Sequence, residues 1–249
     1  MSDAGTPIDL LAIGPHPDDI EIGIGGIVAK HAALGHRVGL CDLTAGEMGS
    51  NGTVEERLAE AEAARAVLGA VWRVNLRLPD RAIGSDREHE RAVASLVRRA
   101  RPTVVALPYW SDRHPDHVAA SHVLTEGVFS AGLRRYPADG DAWKPESICY
   151  YFINDSAPPS FVVDVSDQYE TKRRALACHA SQFQPLDRRS LGEGGSQTDA
   201  VATRLTSARF RQLIESRDAQ FGAIAGVRWA EGIVVREPIV RDSLLKSPR

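Results

Sequence analysis

The sequence predicts an α/β protein built on a mostly parallel sheet, with helices on both faces and a less regular C-terminal third. Three observations favour this class. Apolar segments of strand length alternate with longer helical segments, polar loops follow the strands, and the composition is ordinary for a globular protein, with 249 residues of which 43% are hydrophobic and 25% charged. Such alternation leads to right-handed crossovers and a Rossmann-like sheet. We expect residues 1–249 to form one domain.

Four strands are predicted in the first part of the chain. Their segments are short and nearly all apolar, which is typical of strands buried on both faces of a parallel sheet. These segments are Ile8–Ile13, Val38–Leu43, Trp72–Leu76 and Val104–Leu107.

The helices between these strands are predicted from their end signals. Gly35 closes a helix over Ile20–Leu34. Thr53 and Glu56 form a capping box at the start of a helix over Val54–Leu68. Two further helices are expected: Ser85–Arg99, which Pro102 follows, and one that begins after the loop Pro108–Pro115 and runs to about Arg135.

The last third of the chain is less regular. Strands are predicted over Ile148–Ile153, Phe161–Val165 and Gly232–Val235, and helices over Gln168–His179 and Ala208–Phe221. The glycine-rich stretch Ser190–Ser196 is interpreted as a mobile loop near the functional site.

Charge and cysteine content argue against several classes of protein. The formal net charge is −3 and there is no long run of Lys or Arg, so neither nucleic acid nor an anionic membrane is an expected partner. Cys41, Cys149 and Cys178 are odd in number and form no CxxC pair, which favours free thiols in a reducing compartment. The apolar run Ile8–Ile13 is too short for a signal peptide or a membrane span. We therefore expect a cytoplasmic protein.

Polar clusters follow three of the predicted strands, at the edge where open α/β sheets bind ligands. His16–Asp19 follows the first strand, the loop Thr44–Thr53 follows the second, and Asp112–His117 follows the fourth. The first and fourth strands are neighbours in the common doubly wound order. We therefore expect the first and third clusters to meet in space.

Together these two clusters supply two histidines and a carboxylate for a divalent metal ion. Such a set leaves coordination positions open, as in catalytic zinc sites. Pro17 and Pro115 restrict the preceding histidines to extended geometry. His16 and Asp19 stand three residues apart at a loop-to-helix junction, so both can face one ion. Asp18 is then free to take a proton from an attacking water molecule.

A structural alternative exists for each cluster. Asp18 or Asp19 can cap the helix that follows His16–Asp19. Asp116 can cap the helix that follows Asp112–His117. The presence of a second histidine cluster at the matching edge of another strand favours the metal site over capping alone.

Two other functional classes are alternatives. A nucleotide-binding protein is suggested by Gly23, Gly25 and Gly26, but these glycines lie inside the first predicted helix, and Val28 stands where GxGxxG requires glycine. A non-catalytic module that binds a metal or a sugar is the other alternative. All of the predicted catalytic positions carry a suitable side chain, which argues against a non-catalytic module.

The motifs resemble those of a known family. HPDDIEIGIGG after the first strand, a TxGE loop after the second, and the downstream HPDH are similar to the LmbE-like (PIG-L) N-acetylglucosaminyl deacetylases, over nearly the whole chain. The flanking strings TAGEMGSNGTVEER, SDRHPDHVAA and ALACHASQF resemble the bacillithiol-pathway branch. That branch removes acetate from N-acetylglucosaminyl malate, so the resemblance implies a small-molecule sugar conjugate as substrate. Other N-acetylglucosaminides, such as inositol conjugates or chito-oligosaccharides, are the alternatives.

The resemblance implies a metal site and a catalytic base. The family's metal ligands match His16, Asp19 and His117, and its general base matches Asp18. One Zn²⁺ ion per chain is implied, with Fe²⁺ as the alternative. Members of the family often form homo-oligomers, and no residue pattern in this chain decides its oligomeric state.

The resemblance also implies roles for residues around the metal site. His114 matches the family's acid or oxyanion stabiliser, acting in its protonated form, with Asp116 placed to orient its ring. The implied substrate contacts are Arg57 and Arg113 at the carboxylates, and Glu47 and Asp80 at the sugar. For Arg57, an exposed position on the helix surface is an equally open interpretation.

One position departs from the family pattern. The family has a mobile tyrosine late in the chain near the reacting carbonyl, whereas the last tyrosine here is Tyr169 and Phe210 occupies the matching place. Either the hydroxyl is dispensable or another donor replaces it. His179 and Gln182 are candidates, although a histidine near a helix end is more often a capping or packing residue.

Overall fold

Seven strands form one sheet in the computed structural model, which describes residues 7–184 and 201–240. The strands are β1 (Leu10–Gly14), β2 (Val38–Asp42), β3 (Trp72–Asn75), β4 (Val104–Pro108), β5 (Ser147–Tyr151), β6 (Phe161–Asp164) and β7 (Ala230–Val234). Their order across the sheet is β3-β2-β1-β4-β5-β7-β6. The predicted loop Ser190–Ser196 lies outside the described residues.

Helices connect the strands and cover both faces of the sheet. They are α1 (Asp19–Ala33), α2 (Val54–Leu68), α3 (Arg87–Ala100), α4 (Pro115–Ala131), α5 (Tyr169–Cys178), α6 (Ala180–Phe183) and α7 (Ala208–Ala225), with a 3-10 turn over Ser166–Gln168. The predicted α/β class is confirmed.

The centre of the sheet is parallel, and β1 lies between β2 and β4. Gly14 stands opposite Asp42 on β2, and Ala12 stands opposite Ala106 on β4. The predicted neighbourhood of the first and fourth strands is therefore confirmed. Only the far edge departs from parallel, because β7 pairs antiparallel with both β5 and β6.

Residues of β1 alternate between two hydrophobic cores, one on each face of the sheet. Leu10 and Ala12 pack with the core that includes α1 and α2. Leu11 and Ile13 pack with the core that includes α3 and α4. Side chains alternate along a strand, so a continuous apolar run must be buried on both faces. The central strand is thereby held rigidly, and with it the loop that begins at its carboxyl end.

Helix α4 ends earlier than the sequence predicts, at Ala131 instead of about Arg135. Two of the carbonyl groups at this end accept hydrogen bonds from the buried guanidinium of Arg98, which reaches Ala131 O at 3.1 Å and Leu133 O at 2.8 Å. Gly132 at the C-cap is the local signal for this end, and the bonds from Arg98 come from another helix.

Helix α1 is interrupted at Ile24, whose backbone is non-helical. Buried charged side chains bond to the backbone groups on both sides of this kink. Arg217 donates to Ile22 O at 2.6 Å, and the carboxylate of Glu231 accepts from the N–H groups of Gly26 and Ile27 at 2.9 and 2.6 Å. The first turn of α1 is thus tied to α7, and the part that follows the kink is tied to β7.

The glycines of α1 allow close packing. A β-carbon at Gly23 would lie 2.3 Å from the ring of Tyr151, and one at Gly26 would lie 2.8 Å from Val165. The sheet and the following segment therefore require glycine at these positions. This accounts for the glycine run without a nucleotide.

None of the helices in residues 7–184 and 201–240 combines the length and the apolar run that crossing a bilayer needs.

Candidate active site

A cavity of about 450 Å³ opens at the carboxyl edge of the sheet. Loops after β1, β2, β3, β4 and β5 contribute to its lining, together with the segment before α7. The first and third polar clusters of the sequence therefore meet here, as the strand order predicts.

Three side chains converge at the enclosed end of this cavity. Asp19 Oδ2 lies 3.1 Å from Nδ1 of His16 and 3.4 Å from Nε2 of His117. One ligand atom from each of the three residues falls within 4.8 Å of the others. A tetrahedral zinc ion with bonds of about 2.0–2.1 Å separates its ligand atoms by roughly 3.3 Å. The donor set and its spacing therefore fit a divalent metal ion.

Carboxylates also hold the opposite nitrogen of each histidine. His117 Nδ1 lies 3.1 Å from Asp112, and His16 Nε2 lies 3.1 Å from Asp80 and 3.3 Å from Asp116. A carboxylate behind a ligating imidazole fixes its tautomer and its orientation. Each ring can therefore present an unprotonated nitrogen toward Asp19.

The charges of this end shift the pKa values of its groups. Burial alone would lower the pKa of His16, but bonds to Asp116, Asp19 and Asp80 hold it well above its usual value. Burial would raise the pKa of Asp19, but the charge of His117 and the hydrogen bond from His16 keep it lowered. The pocket is thus rich in negative charge that favours a cation.

Asp18 stands apart from this set. It is 3% exposed, and burial raises the pKa of its carboxyl to about 7, against the opposing charge of Arg57. Its backbone has φ 113, a left-handed conformation that is costly for a residue other than glycine. A carboxyl group with this pKa can both accept and return a proton near neutral pH.

Neither carboxylate of the first cluster caps α1. The side chain of Asp18 makes no capping hydrogen bond, and Oδ2 of Asp19 accepts from the N–H of His16 at 3.0 Å. The capping interpretation of HPDD is therefore wrong. In the cluster Asp112–His117 the cap of α4 is His114, not Asp116.

The predicted partnership of His114 and Asp116 is also wrong. The Asp116 carboxylate accepts from the backbone N–H of Arg81 at 3.1 Å and from its guanidinium at 2.8 Å, and it contacts His16. Nδ1 of His114 instead accepts from the backbone N–H of Asp116 at 3.2 Å. A neutral ring whose Nδ1 accepts carries its proton on Nε2.

The protonation expected for His114 changes accordingly. Burial lowers the pKa of His114, and the charges of His117 and His16 lower it further. His114 is therefore placed as a neutral donor through Nε2–H, in contrast to the protonated form that the family resemblance implies.

Arg57 is buried and lines the cavity, and its side chain has several protein partners. It is 6% exposed, and its guanidinium donates to Gly46 O and Pro17 O at 2.9 Å each, with Asp18 Oδ2 at 3.5 Å. The alternative of an exposed position on the helix surface is therefore wrong, whereas a contact with the substrate stays a prediction. The residue ties the loop after β2 to the HPDD segment and lies beside the carboxyl of Asp18.

The two acidic residues expected to face a sugar also have protein partners. Both oxygens of Asp80 are engaged, Oδ1 by His16 and Oδ2 by the N–H of Met48 at 3.0 Å. Glu47 accepts from the N–H of Asp80 at 2.7 Å and is absent from the cavity lining. Asp80 therefore supports the histidine, and Glu47 supports the turn that carries Asp80.

Arg113 is exposed and lines the cavity, as expected of a substrate contact. Phe210 also lines it, together with Gln182, whose Nε2 donates to Asn51 O at 2.7 Å. His179 is fully buried and does not line the cavity, since it contacts Glu21 at 3.4 Å. Of the two candidate replacements, only Gln182 reaches the site.

Two supporting residues were missed by the sequence analysis. Asp112 accepts from the N–H of His114 at 2.8 Å and from the amide of Asn154 at 3.0 Å, in addition to its contact with His117. Asp112 begins the predicted cluster Asp112–His117, but the sequence assigned it no role. Asn154 follows β5, and the rule that ligand-binding residues follow the strands would have identified it.

Comparisons with known proteins show the family of this chain. Residues 11–128 match the profile of the family described as GlcNAc-PI de-N-acetylase, PIG-L. A diacetylchitobiose deacetylase of Thermococcus kodakarensis is 31% identical over 239 residues, which cover 90% of this chain and 81% of that protein.

Two further relatives extend the comparison. A 1D-myo-inositol 2-acetamido-2-deoxy-alpha-D-glucopyranoside deacetylase of Rhodococcus jostii is 25% identical, over 70% of this chain and 81% of that protein. The crystal structure of a conserved protein from Thermus thermophilus superposes with a TM-score of 0.83 and 34% identity, covering 96% of this chain and 100% of that one.

Proposed function

The chain belongs to the PIG-L family of de-N-acetylases, and we propose that it is a metal-dependent hydrolase that removes the acetyl group from an N-acetylglucosamine conjugate. One observation carries the proposal. A His16–Asp19–His117 triad with the spacing of a metal site adjoins a separate buried carboxyl, Asp18, whose pKa of about 7 suits a general base.

His16, Asp19 and His117 would hold the metal ion. A zinc or ferrous ion at these ligands would polarise the acetyl carbonyl and lower the pKa of a water molecule. The carboxylates of Asp112, Asp80 and Asp116 keep the two rings oriented for this task.

Asp18 is assigned as the base of the reaction. As the water oxygen bonds to the acetyl carbon, Asp18 takes the water proton, and the carbonyl oxygen becomes an oxyanion. When the C–N bond breaks, Asp18 returns the proton to the leaving glucosamine nitrogen. The immediate products are acetic acid and an amine, and loss of the acid proton to the amine gives acetate and the protonated amine, so atoms and charge balance without another co-reactant.

His114 is assigned as a donor to the oxyanion. Its Nδ1 is occupied by the backbone N–H of Asp116, so that Nε2–H is the group left to face the cavity. A fixed donor aimed at developing negative charge lowers the barrier of amide hydrolysis. This role needs a neutral ring and no change of protonation.

We infer an N-acetylglucosaminyl conjugate with an acidic aglycone, such as malate, as the substrate. The exposed Arg113 on the cavity wall supports this choice, since arginine pairs well with carboxylates. Diacetylchitobiose and inositol conjugates, on which the named relatives act, are the competing substrates.

The test is release of acetate and primary amine from four compounds: N-acetylglucosaminyl malate, an N-acetylglucosaminyl inositol, diacetylchitobiose and free N-acetylglucosamine. We expect equimolar products, with the malyl compound fastest. Removal of the metal by a chelator should abolish release, and Zn²⁺ or Fe²⁺ should restore it. No release from any compound would contradict the deacetylase assignment. Full activity after verified metal removal would contradict the metal dependence.

A further inference from the structure

A second arginine, Arg204, lines the same cavity as Arg113 but comes from a distant part of the chain. Arg113 lies in the loop after β4, whereas Arg204 lies in the segment just before α7. Both residues are exposed. Among residues 7–184 and 201–240, neither guanidinium forms an ion pair or a hydrogen bond to a protein group.

The segment that carries Arg204 is held by specific contacts. Asn51, buried in the loop after β2, donates from its amide to Val201 O at 2.9 Å and accepts from Val201 N–H at 2.9 Å. Thr203 N–H donates to Thr206 Oγ1 at 3.0 Å, and the N–H of Thr206 donates back to Thr203 Oγ1 at 3.3 Å. The position of Arg204 is therefore defined by the fold.

The side chain of Arg204 is also supported from one side. Its guanidinium carbon lies 5.3 Å from the ring centre of Phe210, which itself lines the cavity. A guanidinium over an aromatic face keeps its N–H donors free at its edge. Phe210 thus serves as a platform for a cation.

The two arginines line the same cavity, and the charge of one acts on the other. Partial burial lowers the pKa of Arg204, and the charge of Arg113 lowers it further, while Asp155 and Asp112 act in the opposite direction. Asp112 cannot neutralise the pair by hydrogen bonding, because its oxygens are engaged by His114, His117 and Asn154. Two like charges with free donors that line one cavity favour a bound anion.

We propose that Arg204 is a specificity-determining residue that binds, together with Arg113, the two carboxylates of a dicarboxylic aglycone. The inference rests on the proposed function, because it concerns the substrate of that same site. A neutral aglycone would leave the repulsion between the guanidiniums unrelieved, whereas a dicarboxylate offers each of them a bidentate partner.

Arg204→Gln tests the proposal, because glutamine keeps much of the side-chain length and its polarity but removes the charge. Arg209→Gln is the matched control, since Arg209 is an exposed arginine on α7 that does not line the cavity. The measurement is kcat/KM for N-acetylglucosaminyl malate divided by kcat/KM for methyl N-acetylglucosaminide. We expect this ratio to fall about 10-fold in Arg204→Gln, which is at the lower end of the effects seen when a hydrogen bond to a charged group is lost. The ratio should stay unchanged in Arg209→Gln.

Two further measurements sharpen the result. The loss should appear in KM more than in kcat, because the aglycone is bound equally in the ground and transition states. Arg204→Gln and Arg113→Gln should be non-additive in the ratio, since both groups bind one ligand. An unchanged ratio in Arg204→Gln, or an equal fall in Arg209→Gln, would overturn the proposal.

Binding of the amine product separates this proposal from the proposed function. Calorimetry with glucosaminyl malate needs no turnover. Weaker binding in Arg204→Gln alone would support the role of Arg204 even if no hydrolysis were observed, in which case the deacetylase assignment would fail. Equal binding by wild type and Arg204→Gln would overturn the role of Arg204 while leaving measured deacetylation intact.

Discussion

The two ends of the cavity differ in how their side chains are held. At the enclosed end, carboxylates and backbone groups fix His16, His117 and His114. At the mouth, Arg113 and Arg204 are exposed, with no hydrogen-bonding partner among the described residues. Chemistry requires groups that are oriented before the substrate arrives, whereas binding of a charged group requires donors that are still free. Substitutions at the enclosed end should therefore reduce activity toward every substrate, whereas substitutions at the mouth should reduce activity toward acidic substrates.

The largest effect is expected from the metal ligands. His16→Ala, Asp19→Ala and His117→Ala should each lose the metal ion and with it nearly all activity, because three ligands hold a single ion. Metal content by elemental analysis, with circular dichroism as the check on folding, decides this. Folded variants that all keep about one ion per chain would place the metal elsewhere.

Asp18→Asn should keep the metal ion bound but should lose most of the catalytic activity. Asparagine has nearly the same shape but cannot accept the proton, so kcat should fall on the order of 10²–10⁴-fold with metal content unchanged. Asp19→Asn is the adjacent comparison and should lose metal as well. Near-normal kcat in Asp18→Asn would show that another group is the base.

Asp112→Asn should weaken the site indirectly. Loss of a carboxylate behind a ligating histidine typically costs 10–100-fold in metal affinity or activity, and Asp112 is the carboxylate behind His117. The measurement is competition for Zn²⁺ with a chelator of known affinity. Asp167→Asn, at an exposed position away from the cavity, is the control. Equal affinity in both variants would remove Asp112 from the metal site.

Arg57→Met should lower stability and should reduce activity toward acidic and neutral substrates by the same factor. The guanidinium is buried and bonds to Gly46 O and Pro17 O, so its loss leaves carbonyl groups unpaired, at about 1–3 kcal/mol. Denaturant unfolding measures the first effect and paired kinetics the second. A loss of activity that is confined to the acidic substrate would instead identify Arg57 as a substrate contact.

Local signals in the sequence were sufficient for much of the fold. The capping box of Thr53 and Glu56 involves only neighbouring residues, and it is present as predicted. The apolar β1 and β4 segments and the common strand order placed the two histidine clusters together. These inferences succeeded because each depends on interactions close in sequence or on a general rule of topology.

The remaining features depend on partners that are distant in sequence. The sequence alone allows Arg57 to be an exposed residue on a helix. In the structure it is buried, and its guanidinium donates to the carbonyls of Gly46 and Pro17. The Asp116 carboxylate lies close to His114 in sequence, but its bonds go to Arg81 and His16, and both reach it through the loop packing at the sheet edge. Spacing alone could not choose between these partners.

The most direct test of the division between the two ends is one set of kinetic measurements. kcat/KM is determined for wild type, Asp18→Asn and Arg113→Ala with N-acetylglucosaminyl malate and with methyl N-acetylglucosaminide. We predict that Asp18→Asn loses the same factor with both substrates, and that Arg113→Ala loses about 10-fold more with the malyl compound than with the methyl glycoside. Equal losses in Arg113→Ala, or a substrate-dependent loss in Asp18→Asn, would contradict the account.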